Sequence, residues 1–152
     1  MKYLIDTSSL IDINEWYDIK IPGFVFIWDI IKDKILKNEL NSVILVKNEL
    51  NNDDINKWLK QFKNFYLNPT DNEQDEFGII LEKYPDLIKL KSTKNSDADV
   101  FLIAIAKHRE YCIVSSERET NSSKQNIPNI CRIENIKYIE TKDFIKSMLN
   151  NN

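Results

Sequence analysis

The apolar positions of the chain fall into short runs separated by polar, helix-patterned segments. "KYLI" near the N-terminus reads as a short strand. In "FVFIWDIIKDKILKNEL" apolar residues recur at Phe24, Ile27, Trp28, Ile31 and Ile35, which is a helical repeat. "SVILV" (Ser42 to Val46) is a compact β-branched run and predicts a buried strand. "DDINKWLKQF" repeats Ile55, Trp58, Leu59 and Phe62, again a helix. "FYL" before Pro69 predicts another short strand. Thr70 and Glu73 are spaced as a capping box ahead of a helix through "EFGIILEKY". Ser96 is expected to cap "DADVFLIAIAKHRE". Its segment Val100 to Ala106 is apolar almost all round, so this helix should be the most buried one. "YCIVSS" predicts a strand, "NIPNICRIENI" a loop and a short helix, and "KYIE" a last strand. Thr141 is expected to cap a terminal helix, "KDFIKSML".

Strand–helix alternation with continuous apolar strands predicts an α/β fold. The expected form is a three-layer α/β/α sandwich around a mostly parallel central sheet, with residues 1–152 as one domain. In such sheets ligands bind outside the carboxyl ends of the strands. Asp6 follows the first strand directly and so belongs to that edge.

Composition narrows the chemistry. The 152 residues are 42% hydrophobic and 30% charged, which is ordinary for a globular protein. No apolar run approaches the roughly 18 residues that span a bilayer, and no signal-peptide layout opens the chain. A cytoplasmic protein without membrane contact is expected. Cys112 and Cys131 sit among apolar neighbours and read as reduced, buried thiols, since a disulfide is unusual in that compartment. The net charge of −3 does not suggest a bulk nucleic-acid coat protein. It is compatible with a nuclease whose metal ions cancel carboxylate charge locally. With one histidine, zinc sites built on several His are impossible. His108 lies at the end of "DVFLIAIAKH", where a cation suits the helix dipole, and reads as structural.

The acids are more informative. Asp6, Glu49 and Glu117 lie just past apolar runs, in "LIDTSS", "LVKNEL" and "IVSSE", and Asp97 and Asp99 open the buried helix. Each has a simpler reading: Asp6 as a helix cap, Glu49 as a solvated first-turn glutamate, Asp97 and Asp99 as dipole partners, Glu117 as a loop acid. Their recurrence after successive strands points further. Carboxylates gathered at one sheet edge repel each other unless a cation sits between them. Hard divalent ions such as Mg²⁺ or Mn²⁺ prefer such oxygen ligands.

The order "YLIDTSSLI", "LVKNEL", "DVFLIAIA", "IVSSE" resembles the PIN-domain nucleases over nearly the whole chain. Their pattern is a strand ending in Asp followed by Thr or Ser, a Glu-Leu after the second strand, an Asp opening a D-x-x-x-I-A-x-A helix, and a Thr/Ser-x-Asp/Glu after the next strand. "NIPNIC" is also similar to one bacterial branch of the family. The resemblance implies that Asp6, Glu49, Asp99 and Glu117 are catalytic and metal-binding. Alignment on Ile103-Ala104-Ile105-Ala106 selects Asp99 over Asp97. The fourth acid is usually Asp, and here it is Glu117. Thr7 or Ser8, and Ser115, match hydroxyl positions that support the site. The resemblance further implies Mg²⁺- or Mn²⁺-dependent cleavage of RNA and a toxin of a type II toxin–antitoxin pair. It also implies a homodimer and a cognate antitoxin covering the cleft.

Lys47, Arg118 and Lys124 are loop cations that either contact phosphates or only solubilise the surface. The large residues Phe24, Phe26, Trp28 and Ile30 exceed what one helix face buries, and are expected at a dimer or antitoxin interface. Two alternatives stand beside the nuclease. A receiver-like Mg²⁺-binding signalling domain would need an adjacent acid pair after the first strand, which "LIDTSS" lacks. A degenerate PIN domain would bind RNA or protein without cutting, and the intact acid set argues against it.

Overall fold

The computed structural model describes residues 1–89 and 97–151, without the side chains of residues 48, 49 and 89. Among the described residues there are five strands: β1 (Tyr3–Ile5), β2 (Leu40–Val43), β3 (Tyr66–Leu67), β4 (Cys112–Ser115) and β5 (Tyr138–Glu140). The helices among the described residues are α1 (Thr7–Trp16), α2 (Val25–Leu36), α3 (Ile44–Glu49), α4 (Asp53–Leu59), α5 (Asp71–Lys83), α6 (Asp86–Lys89), α7 (Asp97–Arg109), α8 (Ile127–Glu134) and α9 (Thr141–Asn150). A 3₁₀ turn, Pro22–Phe24, leads into α2.

The strands form one sheet in the order β3-β2-β1-β4-β5, and every pairing is parallel. Successive strand residues face opposite ways, so each strand feeds two cores. Ile5 and Val114 pack with α1, α2, α4 and α9. Leu4 and Ile113 pack on the other face with α5, α7 and α8. This is the expected three-layer sandwich. Helix α7 is the most enclosed, with Ala98 to Val100 and Leu102 to Ala106 all buried. Ser96, expected to cap it, lies outside the described residues.

Three local expectations are corrected. The second strand is Leu40–Val43, not Ser42 to Val46, and Ile44 to Val46 turn into α3. An apolar run looks alike as strand or buried helix. Here the polar residues of the strand find partners across the sheet: Ser42 Oγ donates to Ile5 O (2.6 Å) and Asn41 Nδ2 to Asn64 O (2.9 Å). Thr141 is the first residue of α9, not its cap, and the cap position Glu140 makes no side-chain bond. The Thr141 hydroxyl is committed elsewhere, donating to Ser9 Oγ at 2.8 Å. Trp28 is not a surface residue. It is buried against Trp58, and its indole N–H donates to Tyr17 O at 2.7 Å. Phe26 beside it is exposed, as are Ile21 and Val25. The Thr70–Glu73 capping box forms as expected.

No helix among the described residues is long and apolar enough to cross a membrane.

Candidate active site at the switch point of the sheet

Chain progression runs from β1 outward through β2 to β3, then returns to the other side of β1 with β4 and β5. The reversal lies between β1 and β4, and a crevice opens outside the carboxyl ends of strands at such a point. Asp6 ends β1 there, and Ser115 ends β4.

Asp6 is 3% exposed and is the N-cap of α1. Its Oδ1 accepts from Thr7 N at 2.7 Å. Its Oδ2 accepts from Ser8 Oγ at 2.9 Å and from Ser115 Oγ at 3.2 Å. The capping role and a place at the sheet edge therefore coexist in one side chain. Ser115 Oγ in turn accepts from Glu117 N at 3.2 Å, so a single buried hydroxyl joins the first acid to the backbone of the last. Ser9, Thr141 and Ser116 extend the polar layer. Ser9 Oγ donates to Val114 O (3.1 Å), and Thr141 and Ser116 share a bond of 2.8 Å.

Asp99 and Glu117 line one cavity of ≈ 340 Å³ together with Arg118 and Lys124. Asp99 is fully buried in the first turn of α7, whereas Asp97 is exposed. The two acids that the sequence places alike at the helix start are thus sorted by burial. Glu117 is half-buried, and its Oε2 accepts from Ile127 N at 3.0 Å, at the start of α8. That bond gives Glu117 a structural duty at the helix terminus. Glu49 is the last residue of α3, and its side chain lies outside the description. Among the described residues no group of three His, Cys, Asp or Glu side chains stands close enough to hold a metal ion. The donors that do meet at this edge are all oxygens, the chemistry that suits a hard divalent cation.

Sequence reasoning missed how the loop between β4 and α8 is held. Asn126 caps α8 by accepting from Asn129 N (3.1 Å), and its amide donates to Arg118 O (3.1 Å). Asn129, 1% exposed, accepts from Thr120 N at 2.9 Å and donates to Lys124 O at 2.9 Å. The two asparagines pin the loop that carries Glu117, Arg118 and Lys124. The signal was present in "NIPN", an Asn at the cap with Pro in the first turn.

The remaining candidates fall outside the cleft. His108 lies at the far end of α7, 3.6 Å from Glu76 Oε2. Cys112 and Cys131 are free and buried, and burial pushes the Cys112 thiol up to about 11.

Residues 3–150 match the model of a family described as "Domain of unknown function (DUF4411)". The chain belongs to that family. No curated protein matches this DUF4411 member in sequence. Among solved structures it is similar to a chain of VapBC-1 from nontypeable Haemophilus influenzae. The match has a TM-score of 0.51 at 15% identity and covers 93% of this chain and 99% of that one. At that identity the likeness is one of fold, and it agrees with the PIN-like architecture expected from the sequence.

Proposed function

We propose that this DUF4411 chain is a single-domain, divalent-metal-dependent endoribonuclease. The observation that carries the reading is the switch-point edge itself. Asp99 and Glu117 share one cavity with Arg118 and Lys124, and Ser115 joins the backbone N–H of Glu117 to the carboxylate of Asp6. Asp6, Glu49, Asp99 and Glu117 would hold Mg²⁺ or Mn²⁺. Such an ion, when bound, supplies hydroxide at neutral pH and stabilises charge on a phosphodiester.

The chain's own residues do the positioning. Thr7, Ser8 and Ser115 fix both oxygens of Asp6, so that its carboxylate is held before any ligand arrives. Arg118 and Lys124 bring positive charge to the same cavity, and Asn126 and Asn129 hold their loop in place. The exposed guanidinium and ammonium groups suit the backbone phosphates of a nucleic-acid strand.

The biological role we infer is that of a cytoplasmic type II toxin, silenced by an antitoxin and acting as a homodimer. The sequence resemblance and the fold shared with a chain of VapBC-1 support it. Exposed Ile21, Val25 and Phe26 offer an apolar patch for a protein partner.

The test is cleavage of an RNA panel with Mg²⁺, with Mn²⁺ and with EDTA. Cleavage should require either ion and stop with chelator. Undiminished cleavage in EDTA would overturn the metal reading. A neighbouring reading frame for a small DNA-binding protein that copurifies with this chain would support the toxin role.

A further inference from the structure

A cavity larger than the acid cleft lies elsewhere among the described residues. It measures ≈ 580 Å³ and lies beside β3, lined by Lys47 of α3, Asn56 and Lys57 of α4, Lys60 and Lys63 of the following turn, and Tyr66 of β3. Against four lysines the described lining holds one acid, Asp53. Several lysines elsewhere are paired: Lys34 with Glu39, Lys37 with Asp33, Lys83 and Lys107 with Glu134. Among the described residues, none of the four cavity lysines forms an ion pair. Four like charges around one concavity focus a positive field that favours an anion.

A second observation is independent of the charge. The hydroxyl of Tyr66 is buried and has no hydrogen-bond partner among the described residues. Buried polar atoms are nearly always satisfied, so an orphan on a residue that lines the cavity points to a missing partner. Burial holds this phenol protonated, pushed up to about 12, and hence a donor at neutral pH.

Position supplies the third element. Strand β3 runs parallel to β2, with Ser42 opposite Tyr66 and Val43 opposite Leu67. Ile44 and Lys47, which follow β2, and Asn68, which follows β3, line the cavity, so it reaches the carboxyl edge of the sheet that carries Asp6 and Ser115. It lies two strands away from β1, about 10 Å across the sheet.

We propose that this cavity is a strand-binding subsite for single-stranded RNA, holding a phosphate-linked nucleotide that flanks the bond cleaved at the acid site. The identity of the anion as RNA rests on the ribonuclease reading, whereas the cavity's preference for an anion does not. The lining cations are lysines, point charges that neutralise a phosphate backbone without reading its sequence. The Tyr66 hydroxyl is a donor suited to a sugar or phosphate oxygen, whereas the Asn56 amide already donates to Leu50 O at 2.8 Å.

The experiment is fluorescence anisotropy of the full chain with a short labelled single-stranded RNA in EDTA, over a range of salt. The triple variant Lys57→Gln/Lys60→Gln/Lys63→Gln changes only exposed side chains. It should bind at least about tenfold more weakly at physiological salt, with a log–log salt slope shallower by about 2, since each single-strand phosphate contributes about 0.7. Tyr66→Phe should weaken RNA binding several-fold while leaving the melting temperature unchanged or higher, because it deletes an unsatisfied hydroxyl. Wild-type affinity and slope in the triple variant would overturn the subsite, even if that variant still cleaves RNA. A wild type that binds no RNA would overturn it too, as would a polyglutamate peptide captured by these lysines in place of RNA. Lysine-dependent RNA binding without cleavage in Mg²⁺ or Mn²⁺ would uphold the subsite and defeat the ribonuclease reading.

Discussion

Ser115 Oγ donates to Asp6 Oδ2 at 3.2 Å, joining the carboxyl ends of β1 and β4 across 109 positions of sequence. The same oxygen accepts from Glu117 N. Replacing it by Ser115→Ala leaves a buried carboxylate short of one donor, which costs about 1–3 kcal/mol. If the acids bind a metal, the variant should also lose about 10–100-fold in metal affinity or activity, as supporting partners of ligands usually do. Chemical denaturation and a cleavage assay on one preparation measure both effects. Full activity in a destabilised variant would confine Ser115 to folding.

Asp6→Asn separates the two duties of Asp6. Asparagine caps helices about as well as aspartate, so α1 should survive. Activity should vanish, together with the rise in melting temperature that Mg²⁺ gives the wild type by binding the folded state. Melts with and without Mg²⁺ check this, and an active Asp6→Asn protein would leave Asp6 with its cap alone.

Burial distinguishes Asp99 from Asp97, and catalysis should follow burial. Exposed Asp97 contributes at most a dipole effect of about 0.3–1 kcal/mol, so Asp97→Asn should cleave RNA nearly as well as wild type. Asp99→Asn should be inactive. Equal losses at both positions would mean that the motif has been aligned in the wrong register.

Glu117 calls for a pair of variants. Its Oε2 accepts from Ile127 N, a bond that the amide oxygen of Glu117→Gln can keep and Glu117→Ala cannot. The alanine variant should lose about 0.5–2 kcal/mol, the range of a lost helix cap, and the glutamine variant much less. Both should lose activity if the charge is needed at the cleft. An active glutamine variant would show that only the cap matters.

Acid should unfold the protein partly through its far end. Burial alone would raise the Glu73 carboxyl, but Arg109 and Thr70 donate to it and hold it below the usual range. Glu134 is likewise lowered, by Tyr84, Lys107 and Lys83 against its burial. A carboxyl lowered on folding contributes stability above its unfolded pKa and loses it as pH falls through the folded value. Lys107 and Arg109 are raised, so their share fades only in strong alkali. Melting temperatures from neutral pH down to about pH 3 should fall, and Glu73→Gln should start lower at neutral pH and fall less steeply.

The placement of Asp6 and Asp99 was legible because strand ends and helix starts follow from local periodicity. That Asp99 is buried and Asp97 exposed is a distinction the structure adds. The edge of β2 was not legible, since Asn41 and Ser42 are buried only through partners on β1 and the segment before β3. The hydroxyl layer was equally hidden: Ser9 and Thr141 meet across 132 positions, and a threonine before a helical pattern reads as a cap. Trp28 misled because its polar atom is satisfied by a backbone carbonyl, which lets an indole enter the core. The cavity was not legible either, for Lys57, Lys60 and Lys63 recur at helical spacing and only the fold brings Tyr66 and Lys47 against them.

The brevity of the outer strands has a bearing on assembly. β3 is two residues long and β5 three. Unpaired strand edges invite another chain to extend a sheet, but so short a row of N–H and C=O groups gives little template. Self-association by continuous sheet across two copies is therefore disfavoured at both borders. A homodimer of this chain would have to be built from helix surfaces, and the patch of Ile21, Val25 and Phe26 at the start of α2 is where such a contact can bury apolar area.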